Sequence, residues 1–79
     1  MRNLESDKRI GTICKRFRED VLHMTQKECA EEIGYSKENI SSFETGRNAN
    51  NNRIFLYYVS KGLLNYTTIE ELVGYYGND

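Results

Sequence analysis

The stretch TQKECAEEIGYSKENISSFETG, from Thr25 to Gly46, contains the starts and the ends of two helices. Thr25 and Glu28 have the spacing of a capping box, in which each side chain accepts a hydrogen bond from the backbone of the other residue. Gly34 ends this helix, Ser36 caps the next one, and Gly46 stops it. The stretch therefore predicts two short helices separated by a tight turn.

Apolar residues mark one face of each of these two helices. Cys29, Ala30 and Ile33 form the inner face of the first, and Ile40 and Phe43 form that of the second. The small side chain of Ala30 allows the helices to approach closely. The glycine that follows allows the left-handed backbone that such a turn needs. We expect both helices to pack on one shared core.

The chain before this stretch predicts one further helix, from about Asp7 to Asp20 with Ser6 as its N-cap. It has an apolar stripe at positions i, i+3, i+4 and i+7, namely Ile10, Ile13, Cys14 and Phe17. This stripe predicts that the helix packs with one side on the same core.

The chain after the stretch predicts two more helices. The composition of residues 53–61 suits either a strand or a buried helix, but their length, the stop at Gly62 and the helical context favour a helix. The asparagines from 48 to 52 offer N-caps for it. A last helix begins over residues 67–71 and ends near Gly74 or Gly77, and its inner positions are Ile69, Leu72 and Val73. The fold class that follows is all-α, with five helices.

Length and composition indicate one small domain. The 79 residues suit a single domain over residues 6–79, preceded by a tail of residues 1–5. Hydrophobic residues make up 38% of the chain, which argues against disorder. The start MRNLESDKRI lacks the apolar run of a signal peptide or membrane span, and two cysteines do not make a disulfide framework. We expect a cytoplasmic protein with reduced thiols and no membrane partner.

Charge is unevenly distributed along this chain, whose net charge is −1. Residues 1–18 carry a balance of +4 and residues 19–34 a balance of −4, followed by +2 over residues 35–61 and −3 in the remainder. Segregated positive charge is what a partner with a row of phosphates requires. A solvated surface of mixed charge gives the same pattern. Charge alone does not choose between these interpretations.

The quoted stretch resembles the helix-turn-helix of the Xre/Cro phage-repressor-type family. The resemblance rests on the spacing of Gln26, Ala30, Gly34, Ile40 and Phe43 and on the closing residues Glu44, Thr45, Gly46 and Arg47. The flanking helices fit the family's five-helix plan over roughly residues 6–76. The resemblance implies a compact, repressor-like DNA-binding domain. Its third helix, about 36–45, enters the major groove, and its second crosses the DNA backbone.

The resemblance implies base-reading residues at the N-terminal end of the third helix, and helical geometry places polar residues on its outer face. The candidates are Ser36, Lys37, Glu38, Ser41 and Ser42. Lys37 suits the acceptors of guanine, Glu38 suits the amine of cytosine, and a serine pairs with either kind of group. This helix is thus expected to carry sequence preference.

The resemblance also implies phosphate contacts around this helix. Gln26 lies at the start of the second helix, where the family contacts phosphate through a side chain and a backbone amide, aided by the helix dipole. Thr45, Arg47, Asn48 and Arg53 surround the end of the third helix and the following loop, where the family follows the DNA backbone. This loop is richer in asparagine than is usual in the family, which predicts modest affinity and a shallow salt dependence.

Relatives commonly pair an arginine late in the first helix with the glutamate that ends the third, here Arg18 and Glu44. Glu44 is expected on the inner side of its helix, close in angle to Ile40, so that it needs a partner. The segment REDVLHMTQ, residues 18–26, is one residue longer than the common family spacing. We expect Arg18 and Glu44 to form a structural pair and not to contact DNA.

No catalytic, cofactor or metal site is expected, and the chain is not predicted to be an enzyme. It has no histidine–nucleophile set, no glycine-rich phosphate loop and no cluster of metal ligands. His23 is the single histidine, and we interpret it as a surface residue. Cys14 and Cys29 are interpreted as buried small hydrophobes in preference to a redox pair.

The sequence predicts a regulator of transcription that binds double-stranded DNA, a repressor of phage or bacterial type. The late tyrosines are either core or interface, and they are numerous enough to favour a homodimer; they are Tyr57, Tyr58, Tyr66, Tyr75 and Tyr76. Family members often pair through the C-terminal helix. The alternative is a protein-binding regulator on the same fold, an antirepressor or inhibitor with little DNA affinity, which suits the acidic balance.

Overall fold

The computed structural model describes residues 4–48, 51–68 and 71, and all regular secondary structure in them is helical. The elements are α1 (Leu4–Phe17), a π-helical turn (Arg18–Leu22), α2 (Gln26–Ile33), α3 (Lys37–Glu44), α4 (Asn52–Ser60) and α5 (Leu63–Tyr66). The predicted all-α class is confirmed for these residues. None of the described helices has both the length and the apolar character that crossing a bilayer requires.

The starts of α2 and α3 were predicted correctly. Thr25 and Glu28 form the capping box of α2, with N–O distances of 2.8 and 3.0 Å. Ser36 caps α3 in a second box, in which Asn39 occupies the position that glutamate or glutamine usually takes. Gly34, between the two helices, has the left-handed φ of 91° that the turn requires. These contacts are local in sequence, which is why the sequence alone predicted the two starts.

Both predicted limits of the first helix are wrong. α1 begins at Leu4, so that Ser6 lies inside the helix and does not cap it. Serine favours an N-cap without requiring one, and residues 4 and 5 (Leu, Glu) are good helix formers. At the other end the helix does not stop at Asp20, but continues as the π-helical turn to Leu22. Helical backbone therefore extends two residues beyond the predicted end.

The chain after α3 folds as a helix and not as the alternative strand. α4 lies within one residue of the predicted range, and Asn51 caps it by accepting hydrogen bonds from the backbone of Arg53 and Ile54. The short helix α5 was not predicted. Thr68 and Glu71 exchange the two hydrogen bonds of a capping box. The rest of the predicted last helix lies outside the described residues, as do Tyr75 and Tyr76; this includes Ile69, Leu72, Val73, Gly74 and Gly77.

The core lies between α1, α2, α3 and α4 and is sealed by α5. Its buried members are Cys14, Phe17, Cys29, Ala30, Ile33, Ile40, Phe43, Ile54, Tyr58 and Leu63, which confirms the predicted inner faces of α2 and α3. Tyr58 lies at the centre, with ring centroids 6.2 Å from Phe17 and 6.3 Å from Phe43. Each large apolar side chain buried in this way contributes about 1.5–3 kcal/mol.

The backbones of α1 and α3 touch at Gly11. A Cβ atom at this position would lie 2.3 Å from the carbonyl oxygen of Glu44 and 2.6 Å from that of Phe43. One turn earlier, Lys8 packs on Gly46, which has a left-handed φ of 88°. The C-terminal end of α3 is therefore fixed directly against α1. The sequence analysis missed this contact; a glycine in the middle of an amphipathic helix is the signal that could have indicated it.

Candidate nucleic-acid interface

The first turn and the outer face of α3 are polar and accessible. Ser36, Lys37 and Glu38 are exposed, and Ser41 and Ser42 are half-buried. The opposite side of the helix is formed by Ile40 and Phe43, neither of which has any exposed surface. The accessible face therefore presents an amine, a carboxylate and hydroxyl groups. This face contains both donors and acceptors of hydrogen bonds.

The N-terminal end of α3 is held by its own residues. The hydroxyl of Ser36 donates to the side-chain oxygen of Asn39 at 2.9 Å and accepts from the Asn39 backbone nitrogen at 3.2 Å. The Ser36 backbone nitrogen donates to the same side-chain oxygen at 3.1 Å. Of the predicted base-reading residues, Ser36 thus has its donor engaged within the chain, and one lone pair of its hydroxyl is left for a ligand.

The C-terminal end of α3 is held by a buried ion pair. Arg18 Nε donates to Glu44 Oε2 at 2.7 Å, and a terminal nitrogen of the same guanidinium donates to Oε1 at 3.1 Å. The two side chains are only 5% and 2% exposed. Burial alone would lower the pKa of Arg18, but the hydrogen bond and the charge of Glu44 raise it. The structure thus brings together the two residues that the sequence proposed as a structural pair.

The surrounding residues complete the hydrogen bonding of this pair. Tyr58 donates to Glu44 Oε2 at 3.3 Å, and Arg18 also donates to the backbone carbonyl of Met24 at 2.7 Å. Within the described part of the chain, no buried side-chain nitrogen or oxygen lacks a partner. A buried pair satisfied in this way is stable only while all its members are present.

Gln26 joins this network. Its side-chain amide donates to Glu44 Oε1 at 3.0 Å, and the side chain is half-buried. The sequence predicted that this amide contacts a DNA phosphate, whereas in the structure it donates to Glu44. The amide nitrogen carries a second hydrogen that this bond does not use, and the residue lies in the first turn of α2, where backbone N–H groups point outward.

Arg53 connects α4 to the turn between α2 and α3. Its guanidinium donates to the carbonyl of Ile33 at 3.1 Å, and it lies 5.1 Å from the ring centroid of Tyr35. Tyr35 in turn donates to the side chain of Asn51 at 3.5 Å. A cation at the C-terminus of α2 also suits the helix dipole. Arg53 is exposed, so it positions the turn and remains accessible. The anchoring roles of Arg53 and Tyr35 were missed by the sequence analysis.

The other predicted phosphate residues follow the C-terminal end of α3. Thr45 is exposed and donates its hydroxyl to the carbonyl of Ser42 at 3.2 Å. Arg47 is exposed, and Asn48 is half-buried with its backbone nitrogen bonded to the same carbonyl at 3.1 Å. This group lies at the opposite end of α3 from Lys37. For an eight-residue helix the distance along the axis is about 12 Å.

The helix α2 carries three acidic residues, Glu28, Glu31 and Glu32. Glu28 is engaged in the capping box, and Glu31 is exposed. Glu32 accepts a hydrogen bond from Tyr57 at 2.5 Å and lies 3.3 Å from the amine of Lys61. These hydrogen bonds, that of Tyr57 first, lower the pKa of Glu32. Its charge is therefore directed toward α4 and partly balanced there.

Cys14 and Cys29 are free thiols without exposed surface, as predicted. Burial, with the nearby charge of Glu44 as a smaller cause, raises the pKa of the Cys14 thiol to about 12. His23 is exposed and has a left-handed backbone, with a φ of 53°. The described residues contain no group of three or more His, Cys, Asp or Glu side chains placed to hold a metal ion.

Comparison of the chain with protein-family models, with curated proteins and with solved structures gave no match.

Proposed function

We propose that this protein is a sequence-specific, DNA-binding regulator of transcription, a cytoplasmic repressor of phage or bacterial type. In this proposal α2, the turn at residues 34–36 and α3 form a helix-turn-helix. Residues 36–45 enter the major groove of double-stranded DNA, and α2 crosses the backbone. The protein acts by binding alone, without catalysis or cofactor.

The observation that carries the proposal is the accessible polar face of α3. Its inner face is anchored in the core, while Lys37 and Glu38 are exposed at the end away from the buried ion pair. An α-helix with side chains is about 10–12 Å wide, and the major groove of DNA is about 12 Å wide. A helix presented in this way suits insertion with its N-terminal turn foremost.

The side chains then divide into two roles. Lys37 donates to guanine, Glu38 accepts from cytosine, and Ser41 and Ser42 pair with either kind of group. The hydroxyl of Ser36 offers only its remaining lone pair. Phosphate contacts fall to the residues at both ends of the helix, namely Gln26, Thr45, Arg47, Asn48 and Arg53. Two arginines among five residues predict a shallow dependence of affinity on salt.

A homodimer that pairs through the C-terminal helix is part of the proposal. Two copies related by a two-fold axis would present two α3 helices to successive major grooves, about 34 Å apart on one face of the duplex. The bound sequence would then be a palindrome.

The experiment is a selection of bound duplexes from a random pool, carried out at two salt concentrations. We expect an enriched palindrome. Lys37→Ala or Ser42→Ala should reduce discrimination at one or two base pairs by about tenfold, since a specific base contact is worth about 1–3 kcal/mol. Lys15→Ala and Ser60→Ala are the matched controls, because both residues are exposed and lie on other helices. Their preference should match that of the unmodified protein.

Two results would contradict the proposal. One is recovery of no preferred sequence at either salt concentration, which would favour the protein-binding alternative. The other is an unchanged base preference in both α3 variants.

A further inference from the structure

An open groove of about 690 Å³ runs along α1, on the side where α5 and the segment after it approach. Lys8, Arg9 and Arg16 contribute positive charge to its lining. Ile13 and Tyr66 contribute apolar surface to the same lining, and Glu71 contributes one carboxylate. The described part of the lining is therefore positive in a chain whose net charge is −1. None of the roles proposed for α3 uses these residues.

The two arginines of the groove face away from the contact between α1 and α3. Gly11 marks the side of α1 that touches α3. Successive residues of an α-helix are about 100° apart, which places Arg9 and Arg16 about 160° and about 140° around the axis from Gly11. The two arginines thus lie almost opposite the α3 contact. At its other edge the groove includes Lys8, which packs on Gly46 at the C-terminal end of α3.

The apolar part of the groove is anchored in the core. Ile13 is half-buried, and the ring of Tyr66 lies 5.5 Å from that of buried Phe17 while remaining 41% exposed. An apolar side chain entering the groove would cover this surface. The volume of the groove suits a small ligand or a few residues of an extended chain, and not a duplex.

The one carboxylate among the described lining residues, that of Glu71, is already engaged. Glu71 accepts hydrogen bonds from the hydroxyl of Thr67 at 2.7 Å and from the backbone of Thr68 at 3.0 Å. These bonds, that of Thr67 first, lower the pKa of Glu71 and keep it ionised. Among the described lining residues, three cations stand against this single, locally bonded anion, and this balance favours a negatively charged ligand.

The spacing of the cations defines the ligand further. Arg9 and Arg16 are two helical turns apart, which is about 10.5 Å along α1. In an extended peptide of polyproline II conformation, carboxylates three residues apart lie on the same side and about 9 Å apart, since this helix has three residues per turn and advances about 3.1 Å per residue. A peptide in this register brings one carboxylate to each arginine, where guanidinium forms bidentate hydrogen bonds. The side chain of a residue between the two carboxylates then contacts Ile13 and Tyr66.

We infer that this groove binds an extended acidic peptide segment of a partner protein, with carboxylates about three residues apart and an apolar side chain between them on Ile13 and Tyr66. The inference does not depend on DNA binding by α3. It gives the protein a second surface, through which a partner protein can be bound at the same time as another ligand.

The test is a selection from a phage-displayed library of random twelve-residue peptides against the full chain. We expect acidic peptides with a central apolar residue to be enriched. A synthetic copy of the enriched peptide should bind in fluorescence anisotropy. The double variant Arg9→Gln/Arg16→Gln should weaken this binding about tenfold or more, whereas Lys15→Gln, which removes a neighbouring charge outside the groove, should not. Circular dichroism should show both variants folded.

Three results would overturn the inference. They are enrichment of peptides without acidic residues, equal binding by the double variant, and displacement of the peptide by a tighter-binding single-stranded oligonucleotide, which would make the ligand a nucleic acid. The double variant should also retain the DNA preference of the unmodified protein. If it retains that preference but loses the peptide, the groove is separate from α3. If neither the unmodified protein nor the double variant shows a DNA preference, the proposed function fails and the peptide-binding inference stands.

Discussion

The two ends of α3 are held by different means. At the C-terminal end, Glu44 is tied to Arg18, which is 26 residues away in sequence, and the backbone rests on Gly11. At the N-terminal end, Ser36 is held by Asn39, three residues away, and Lys37 is exposed. One end thus fixes the helix to the core, while the other is held by local contacts and stays accessible, as the proposed contact with DNA requires. Substitutions should therefore differ in effect according to the end that they touch.

The largest effect is expected for Glu44→Ala. The substitution removes the acceptor of Arg18, Gln26 and Tyr58 and leaves a buried cation without its partner. Loss of one member of such a pair typically costs about 3–5 kcal/mol. The free energy of unfolding should fall by about this amount in urea denaturation. Glu38→Ala, at the exposed end of the same helix, should change it by less than about 0.5 kcal/mol.

A loss of this size is a large part of the stability of a small domain, so Glu44→Ala can fail to fold. The double variant Arg18→Met/Glu44→Leu keeps the test informative, because it removes both charges and leaves apolar side chains of similar length. It should recover most of the lost stability. Equal stability of Glu38→Ala and Glu44→Ala would refute the distinction between the two ends.

A smaller loss is expected for Gly11→Ala. In an isolated helix this change would stabilise by about 1 kcal/mol. Here the new Cβ would meet backbone carbonyl oxygens of α3 at 2.3 and 2.6 Å, so that the helices must separate. We expect a net destabilisation of about 1–3 kcal/mol, measured by thermal and urea unfolding. Thr12→Ala, at the next, exposed position, is the control. A more stable Gly11→Ala protein would show that α1 and α3 do not touch there.

Alkaline pH tests the core near the C-terminal end of α3, where Cys14 of α1 is buried close to the charge of Glu44. The ordinary pKa of the Cys14 thiol is 9.0, and burial raises it to about 12 in the folded protein. The stability that comes from a neutral buried thiol is therefore complete below pH 9 and is lost as the pH rises toward 12. At pH 10 the contribution of this group should be smaller by about 1.4 kcal/mol. Urea unfolding at pH 8 and pH 10 should show a smaller difference in Cys14→Ala than in the unmodified protein; an identical difference would contradict this assignment.

The smallest effect is expected for Ser36→Ala at the N-terminal end. Loss of an N-cap typically costs about 1 kcal/mol. Because this cap is local, hydrogen exchange should accelerate at the amide of Asn39 and not at that of Phe43, whose end of the helix is held by the core. Ser60→Ala is the control, since Ser60 bonds to a carbonyl near the end of α4 and caps no helix start. Equal acceleration along the whole of α3 would show that its two ends are not independent.

The sequence predicted the elements whose determinants lie within a few residues of one another. The starts of α2 and α3 follow from Thr25 and Ser36, and the turn between them from Gly34. The limits of α1 were missed, because the serine preference at an N-cap competes with good helix formers before it. The π-helical turn was missed as well, since no local rule distinguishes it from a loop.

The candidate site was predicted in part. The accessible face of α3 followed from helical periodicity, since Ile40 and Phe43 point inward. Periodicity does not reveal the partners of long polar side chains. The bond between Gln26 and Glu44 and the contact of Arg53 with Ile33 join residues 18 and 20 positions apart. The groove along α1 also depends on where α5 and the segment after it approach that helix.

The sequence by itself determined where α2 and α3 begin, which of their faces is apolar, and which polar residues α3 exposes. Capping, glycine conformation and helical periodicity act within one or two turns, so they can be read from neighbouring residues. Only the tertiary structure decided that Gly11 lies on the backbone of α3, that Gln26 and Tyr58 join Arg18 in donating to Glu44, and that two arginines line a groove on the far side of α1. These features join residues that are distant in the chain, and packing brings them together.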